Sequence, residues 1–570
     1  MLETNLLYYG DNLDILRRYI PDDSVDLIYL DPPFNSQRDY NVIFKSEAGR
    51  RSDAQLLAFE DTWHWGPSTE ATYAYLTNTT RHQGRVPDPA SSLVASLRKA
   101  IGENQMMAYL VEMAVRLVEL HRTLKPTGSL YLHCDPTASH YLKVILDAIF
   151  GPTRFVNEVV WQRTSAHSDT AQGAKHFGRI ADSLLFYSKG PDYAWNQPVV
   201  PHDDKYIKSH YPYVEEKTGR RYGHWDITGP GGAAKGNPFY EVMGVSKYWR
   251  YSKTNMEQKI AAGRIVQPSP GSVPREIRYL EDSPGTPVGT IWTDIPPINS
   301  QAKERLGYPT QKPIALLERI ISSSSNPGDL ILDPFCGCGT ALIAAETLKR
   351  RWIGIDITYL AIAVMRARLK DSFAMETVPV VGQPTEVEGA RQLAQSAEGR
   401  YQFQWWALGL VDAQPLGGVE KKGADRGIDG VITFTDKHGE LTSVLVSVKS
   451  GHVNSSMVRD LKGAMDRDKA AIGVFLTLEE PSKEMHLEAD TAGLWRSDVW
   501  KRDYPRIQIF TIEELLAGKK PQLPPFVMPT YQKAQRVAVQ ADQPGLFDLA
   551  PRLKKVAEPR PHDYVAENDS

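Results

Sequence analysis

The stretch Leu27-Ile28-Tyr29-Leu30-Asp31-Pro32-Pro33-Phe34-Asn35-Ser36 constrains this chain most, because a run suited to a covered strand stops at an acid, two prolines and an aromatic ring. Val25 to Leu30 is mostly apolar and β-prone, the pattern of a central parallel strand buried on both faces. Asp31 then falls at the carboxyl end of that strand, where open α/β sheets bind ligands. Pro32 and Pro33 fix φ and remove two amide donors, leaving stiff backbone whose carbonyls are free to accept. Phe34 adds a flat apolar face. A carboxylate, accepting carbonyls and a stacking ring suit the exocyclic amino group of a planar base, so the expected chemistry is transfer to that nitrogen.

The surrounding pattern is that of a doubly wound α/β domain. Gly10-Asp11 ends a neighbouring strand and precedes a short helix over 13–19, which Pro21-Asp22-Asp23 terminates. Residues 105–124 carry apolar side chains at helical spacing, 128–133 return to strand, and 139–150 are helical again. After Ser36 the chain turns polar and aromatic, through 59–66, and reads as a long loop with helical patches, able to close over a site. From 155 to 300 glycine, proline, aromatic and basic residues mix without periodicity, which predicts a separate insert. The strand pattern restarts at 330–332, followed by Asp333-Pro334-Phe335-Cys336-Gly337-Cys338-Gly339-Thr340, a helix over 341–349 and a strand ending at Asp356. The expected divisions are a first half of the sheet over 1–154, a separate insert over 155–300 and a second half over 301–375. A linker over 376–395, a further α/β domain over 396–520 and a Pro-rich tail over 521–570 complete the chain.

Bulk properties decide little. A net charge of −3 over 570 residues gives no global sign of nucleic-acid affinity, so basic surface must be local. Three cysteines are too few for a disulfide framework or a four-thiolate zinc site, and Cys336 and Cys338 read as small buried fillers. Neither a signal-peptide core nor a run of about 18 apolar residues occurs, so a cytoplasmic, nucleoid-associated protein with no membrane partner is expected.

Asp333 and a turn carrying Gly337 and Gly339 bring backbone amides close to a ligand at the start of a helix. No third glycine completes a dinucleotide fingerprint, and Asp356 ends the next strand where it could accept both ribose hydroxyls. An adenosine ligand without a pyrophosphate is expected, the plain alternative being a tight turn with a capping acid. Asp-Pro-Pro-Phe early, Asp-Pro-Phe-Cys-Gly-Cys-Gly-Thr late and Tyr308-Pro309-Thr310-Gln311-Lys312-Pro313 between them resemble the β-class amino-methyltransferases of DNA, over residues 1 to about 370. One departure is Tyr308, where that family usually has His. The resemblance implies a Rossmann-like methyltransferase sheet, with the catalytic half at 1–154, a target-recognition region at 155–300 and the cofactor half at 301–375, double-stranded DNA as substrate and S-adenosylmethionine as donor. It implies cofactor contacts at Asp333, Phe335, Gly337, Gly339, Asp356 and Lys312, with Gly10 and Asp11 after them. The target base must leave the duplex to reach Asp31. Asp31 and the Pro32 carbonyl would accept its amino hydrogens and Phe34 would stack on it, so that catalysis is mainly positioning for in-line displacement. Asp at the motif head favours adenine N6, with cytosine N4 the alternative.

In the middle region, Trp161-Gln162-Arg163, Arg220-Arg221-Tyr222, His224-Trp225 and Lys247-Tyr248-Trp249-Arg250-Tyr251 interleave basic and aromatic residues, as phosphate contact plus stacking requires. Downstream, Asp429 before one strand and Val446-Ser447-Val448-Lys449 in the next resemble the Mrr-like branch of the PD-(D/E)-x-K nucleases. That resemblance implies an α/β nuclease-like domain with Mg²⁺ on Asp429 and Lys449 near the attacked phosphate. Ser447 stands where Glu or Gln is usual, leaving Asp425 or Glu398 to compensate, or a domain that only binds DNA. A nuclease beside a methyltransferase points to restriction-modification or defence. In the tail, Gln543-Pro544-Gly545-Leu546-Phe547 resembles the peptide by which bacterial proteins dock on the sliding clamp, and a second copy of the chain is a further candidate partner.

Overall fold

Apolar strands covered on both faces run through the middle of a nine-stranded sheet. The computed structural model describes residues 2–32, 39–45, 51–60, 64–164, 175–299, 302–306, 308, 310–375, 377–395, 397–416, 427–436 and 441–525, with backbone alone over 39–45, 51–60 and 397–398. The order across the sheet is Ile291–Trp292, Phe155–Gln162, Ala181–Ser188, Leu124–Cys134, Val25–Leu30, Leu330–Asp333, Arg351–Asp356, Leu6–Tyr9 and Val380–Val381. From Leu124–Cys134 to Val380–Val381 every pairing is parallel, whereas Ala181–Ser188 runs antiparallel to both its neighbours. The chain leaves Val25–Leu30 toward Leu124–Cys134, and leaves Leu330–Asp333 the other way toward Arg351–Asp356. The gap between Val25–Leu30 and Leu330–Asp333 is therefore the topological switch point, where such sheets bind ligands.

The strand Val25–Leu30 is buried at every position except Asp26. Asp26 is compensated: it pairs with Lys125 at 2.7 Å and accepts the Leu330 amide at 2.9 Å, tying the two central strands at their amino ends. The helix Gln105–Thr123, capped by Asn104 through the Met107 amide, packs Leu110, Met113 and Leu117 into this core. Burying a Leu or Met of this kind contributes roughly 1.5–3 kcal/mol. It also buries Glu119, which holds Arg17 at 2.9 Å and Arg122 at 2.7 Å.

Several expected boundaries shift. Phe155–Gln162, Ala181–Ser188 and Ile291–Trp292 belong to the large sheet, so the separate compact unit covers Gln197–Gly289 and not 155–300. That unit holds a four-stranded antiparallel sheet of Ile265–Val266, Arg275–Tyr279, Arg221–Asp226 and Tyr213–Val214, and a hairpin of Phe239–Val242 with Val245–Tyr248. The expected linker 376–395 instead adds the sheet's ninth strand and a helix, Val387–Leu393, that buries Ala390. Two-residue strands and one-residue contacts leave no periodicity to read. After Ser36, where a long loop with helical patches was expected, the chain forms the paired strands Asp39–Lys45 and Arg51–Glu60, and the helices Pro67–Thr77 and Asp88–Ile101 follow.

The C-terminal domain has a five-stranded sheet ordered Gln414–Pro415, Gly430–Thr435, Leu441–Lys449, Ile472–Thr477 and Ile507–Thr511. Its helix Ala397–Leu410 contributes Phe403 and Trp406 to a buried cluster that also contains Tyr308, Cys338, Tyr359 and Leu360. This sheet therefore shares a core with the expected cofactor half. Among the described residues no helix is long and apolar enough to cross a membrane.

Candidate active site

Asp31 and Asp333 leave adjacent parallel strands at the switch point. Lys312, itself buried, places its ammonium on the Asp31 carboxylate. The lysine expected among the cofactor contacts is thus seated on the expected catalytic acid. Asp333 accepts the Phe335 amide at 3.1 Å. Burial pushes its carboxyl well above the ordinary range, and the nearby charges of Asp31 and Asp356 push the same way. Pro32 is buried beside Asp31, while Pro33 and Phe34 lie outside the described residues.

The glycine turn is built from three sides. Gly337 has φ +48°, and a Cβ there would stand 3.3 Å from the ring of buried Tyr308. Gly339 has φ +76°, and its Cβ would come within 2.8 Å of Met365. Only glycine meets both the left-handed backbone and the close approach. Asp356 accepts the Gly337 amide, the Thr358 amide and the Thr358 hydroxyl, each at 2.9 Å. Burial nevertheless raises its carboxyl to about 6. Cys336 and Cys338 are buried beneath the turn, and the Cys336 thiol donates to the Ile355 carbonyl at 3.1 Å.

Asp11 is placed on the neighbouring strand end, where it caps the helix Asn12–Tyr19 through the Leu13 amide at 2.8 Å and pairs with Arg116 at 2.8 Å. Gly10 precedes it and donates its amide to the Asp356 carbonyl at 3.0 Å. Two residues here were not visible in the sequence. Buried Asn12 donates to the Pro334 carbonyl at 2.8 Å and accepts from buried Arg116 at 2.7 Å, bracing the start of the glycine turn. The Asn12 signal was its place directly after Gly10-Asp11; nothing marked Arg116 within an otherwise apolar helix face. A second buried chain lies in the sheet beside Asp31: the Tyr29 hydroxyl meets His133 Nδ1 at 2.9 Å, and His133 Nε2 meets Asp182 at 3.2 Å.

Of the interleaved basic and aromatic residues, several are committed to the fold. Trp161 is buried and donates to the Ile295 carbonyl at 3.0 Å, Trp249 is fully buried, and Arg220 pairs with Glu281 at 2.7 Å. Tyr213, Lys247 and Tyr248 are exposed. Fewer of these residues are exposed than the composition suggested.

In the C-terminal domain Asp429 and Lys449 do meet, at 3.4 Å. Asp429 is half-buried, and desolvation raises its carboxyl; its oxygens accept the Val448 amide at 2.6 Å and the Gln404 side-chain amide. Ser447 donates its hydroxyl to the Gly427 carbonyl at 2.7 Å. One enclosed carboxylate already facing an ammonium does not fit Mg²⁺, which asks for open oxygen ligands. Among the described residues no group of three His, Cys, Asp or Glu side chains could hold a metal, and the Mg²⁺ expected on Asp429 is not supported. Asp425, the side chain of Glu398 and the 543–547 peptide lie outside the described residues.

Residues 25–364 match the family model described as DNA methylase, and residues 417–517 match one described as NACHT-associated inactive Restriction Endonuclease 1. The Type II methyltransferase M.EcaI of Enterobacter cloacae is 33% identical over 276 residues, 48% of this chain and 59% of the relative. The Type III restriction-modification enzyme StyLTI Mod subunit of Salmonella typhimurium is 27% identical over 364 residues, 60% of this chain and 50% of the relative. The DNA adenine methyltransferase YhdJ of Escherichia coli is 24% identical over 382 residues, 66% of this chain and 88% of the relative. The chain thus spans about half to three-fifths of the length of the first two. With its family model covering 25–364, more than half of the chain, the protein belongs to the DNA methylase family.

Proposed function

We propose that the protein transfers a methyl group from S-adenosylmethionine to the exocyclic amino group of a base flipped out of duplex DNA, with adenine N6 the target. The observation that carries this reading is the meeting of Asp31, Lys312 and Asp333 at the switch point, next to a glycine turn held by Asp356. The family match and a relative named as a DNA adenine methyltransferase support it.

The residues present suit the donor. Gly337 and Gly339 leave a cradle that a Cβ would fill, and Asp356, at the end of the next strand, could take a ribose hydroxyl in exchange for one of its three present donors. When bound, S-adenosylmethionine supplies a methyl group activated by a sulfonium. Asp31 accepts the amino hydrogens of the base, which turns the nitrogen lone pair toward the incoming carbon. Lys312 holds the Asp31 carboxylate in place through their ion pair. Pro32, with no amide hydrogen, leaves its carbonyl to share the amino group, and Phe34 stacks on the ring. One amino hydrogen leaves as a proton as the new N–C bond forms.

The reaction is tested by transfer of labelled methyl groups to unmethylated plasmid DNA. Asp31→Ala is expected to lower kcat by at least about a thousandfold while leaving cofactor affinity within a few fold. Transfer at an undiminished rate by Asp31→Ala would remove Asp31 from the chemistry.

For the C-terminal domain, we propose DNA binding without hydrolysis. Ser447 in place of a third ligand, the enclosure of Asp429 and the match to a model described as inactive support that role, within restriction-modification or defence.

A further inference from the structure

Tyr359 opens the helix Tyr359–Phe373, and its amide is one of those that a helix start leaves without an internal partner. Gln402, on the helix Ala397–Leu410 of the C-terminal domain, supplies one. Its Oε1 accepts the Tyr359 amide at 3.1 Å and the Tyr9 hydroxyl at a longer 3.4 Å. Seven residues further along the same helix face, Gly409 lies so close to the Tyr359 ring that a Cβ there would stand 2.7 Å from its Cε1. Tyr359 is thus held twice, by its amide and by its ring.

The consequence reaches the glycine turn. Tyr359 directly follows Asp356-Ile357-Thr358, and the Asp356 carboxylate holds the Gly337 amide at 2.9 Å. Tyr9 directly precedes Gly10, whose amide donates to the Asp356 carbonyl at 3.0 Å. One side-chain oxygen from the C-terminal domain therefore pins the carboxyl ends of two adjacent parallel strands, Leu6–Tyr9 and Arg351–Asp356. A tethered module would leave that amide to water.

We propose that the nuclease-like domain is a working part of the cofactor site, with Gln402 as a positioning residue that sets the Asp356 turn and through it the affinity for S-adenosylmethionine. This rests on the reading of the Asp333–Asp356 region as that cofactor's site. Gln402→Met keeps the length of the side chain and removes the acceptor, whereas Gln402→Glu keeps an acceptor oxygen. The full-length protein is titrated with S-adenosylmethionine by calorimetry, and methyl transfer is measured against both substrates. Gln402→Met is expected to raise Kd and KM for the cofactor about three- to tenfold, the loss of one hydrogen bond. KM for DNA and kcat should stay within about twofold of wild type. Gln402→Glu should recover most of the loss, and Gly409→Ala, which pushes on the Tyr359 ring, should shift the cofactor constants the same way. A packing role alone would lower the thermal midpoint without separating the cofactor constants from the DNA constants. Wild-type cofactor constants in Gln402→Met, or equal losses in Met and Glu variants, would overturn the inference and leave the cofactor reading standing. No binding of S-adenosylmethionine by the wild-type protein would overturn that reading itself.

Discussion

Asp356 shows how a single residue carries both a cost and a task. Burial penalises its charge by more than its three donors offset, so its carboxyl sits at about 6 in the fold, above its ordinary value near 3.9. A raised carboxyl binds a proton more tightly folded than unfolded. Its contribution to stability is full below about pH 4 and is lost as pH rises through about 6. In denaturant titrations at pH 4 and pH 6.5, Asp356→Asn is expected to remove on the order of 2–3 kcal/mol of that pH-dependent difference. An identical pH slope in the variant would contradict the assignment. Gly339→Ala should cost about 1–2 kcal/mol and weaken cofactor binding, since it strains a left-handed residue and crowds Met365; thermal unfolding and calorimetry read both effects. At this scale the motif residues were legible because backbone chemistry demanded them: Asp at a strand end, Gly at positive φ. Asn12 and Arg116 were not, because their bond joins positions 104 residues apart and neither breaks a local pattern.

At the scale of elements, the long periodic stretches were read closely. The strand Val25–Leu30 and the helix Ser139–Phe150 occupy the expected residues, since each has enough turns or alternations to display its period. The segment 376–395 was misread because Val380–Val381 is held by pairing with Leu7 and Tyr8 and by packing of Val381 on the core, which no local signal announces. The strands Phe155–Gln162 and Ala181–Ser188 were assigned to an insert for a related reason. Their neighbours carry glycine, proline and charge, and the composition of the surroundings hid two ordinary sheet members. The helix Ala397–Leu410 is the element whose role most exceeds its sequence signal. Trp406 is nearly fully buried in the core it shares with Tyr359 and Cys338. Trp406→Ala is expected to cost about 3–5 kcal/mol. If the shared core couples the two sheets, the loss appears as one cooperative transition in denaturant; a separate early transition of the C-terminal domain alone would speak against it.

At the scale of the whole molecule, a DNA methylase fold and a nuclease-like sheet are joined through a common core, and the compact unit Gln197–Gly289 is an insertion in the sequence of the first. The order of the Asp31 strand end, a separate unit and the glycine turn was legible in the sequence, and so was the Asp429–Lys449 pair. What the second sheet does was not, because the same Asp and Lys serve hydrolysis or binding depending on what encloses them. The enclosure of Asp429 by Gln404, Val448 and Lys449 leads to a definite expectation. Supercoiled plasmid incubated with the protein and Mg²⁺ should stay uncut, and Lys449→Ala should weaken DNA binding in a mobility-shift assay without changing kcat for methyl transfer. Mg²⁺-dependent nicking that Lys449→Ala abolishes would contradict that expectation. Methyl transfer to a base amino group at the Asp31 site is read out by single-molecule sequencing of genomic DNA from cells expressing either the wild-type chain or Asp31→Ala. N6-methyladenine is expected at one shared sequence in the wild-type cells and not at that sequence in the variant. Unmodified DNA in both, or the same modified sequence in both, would contradict transfer at that site.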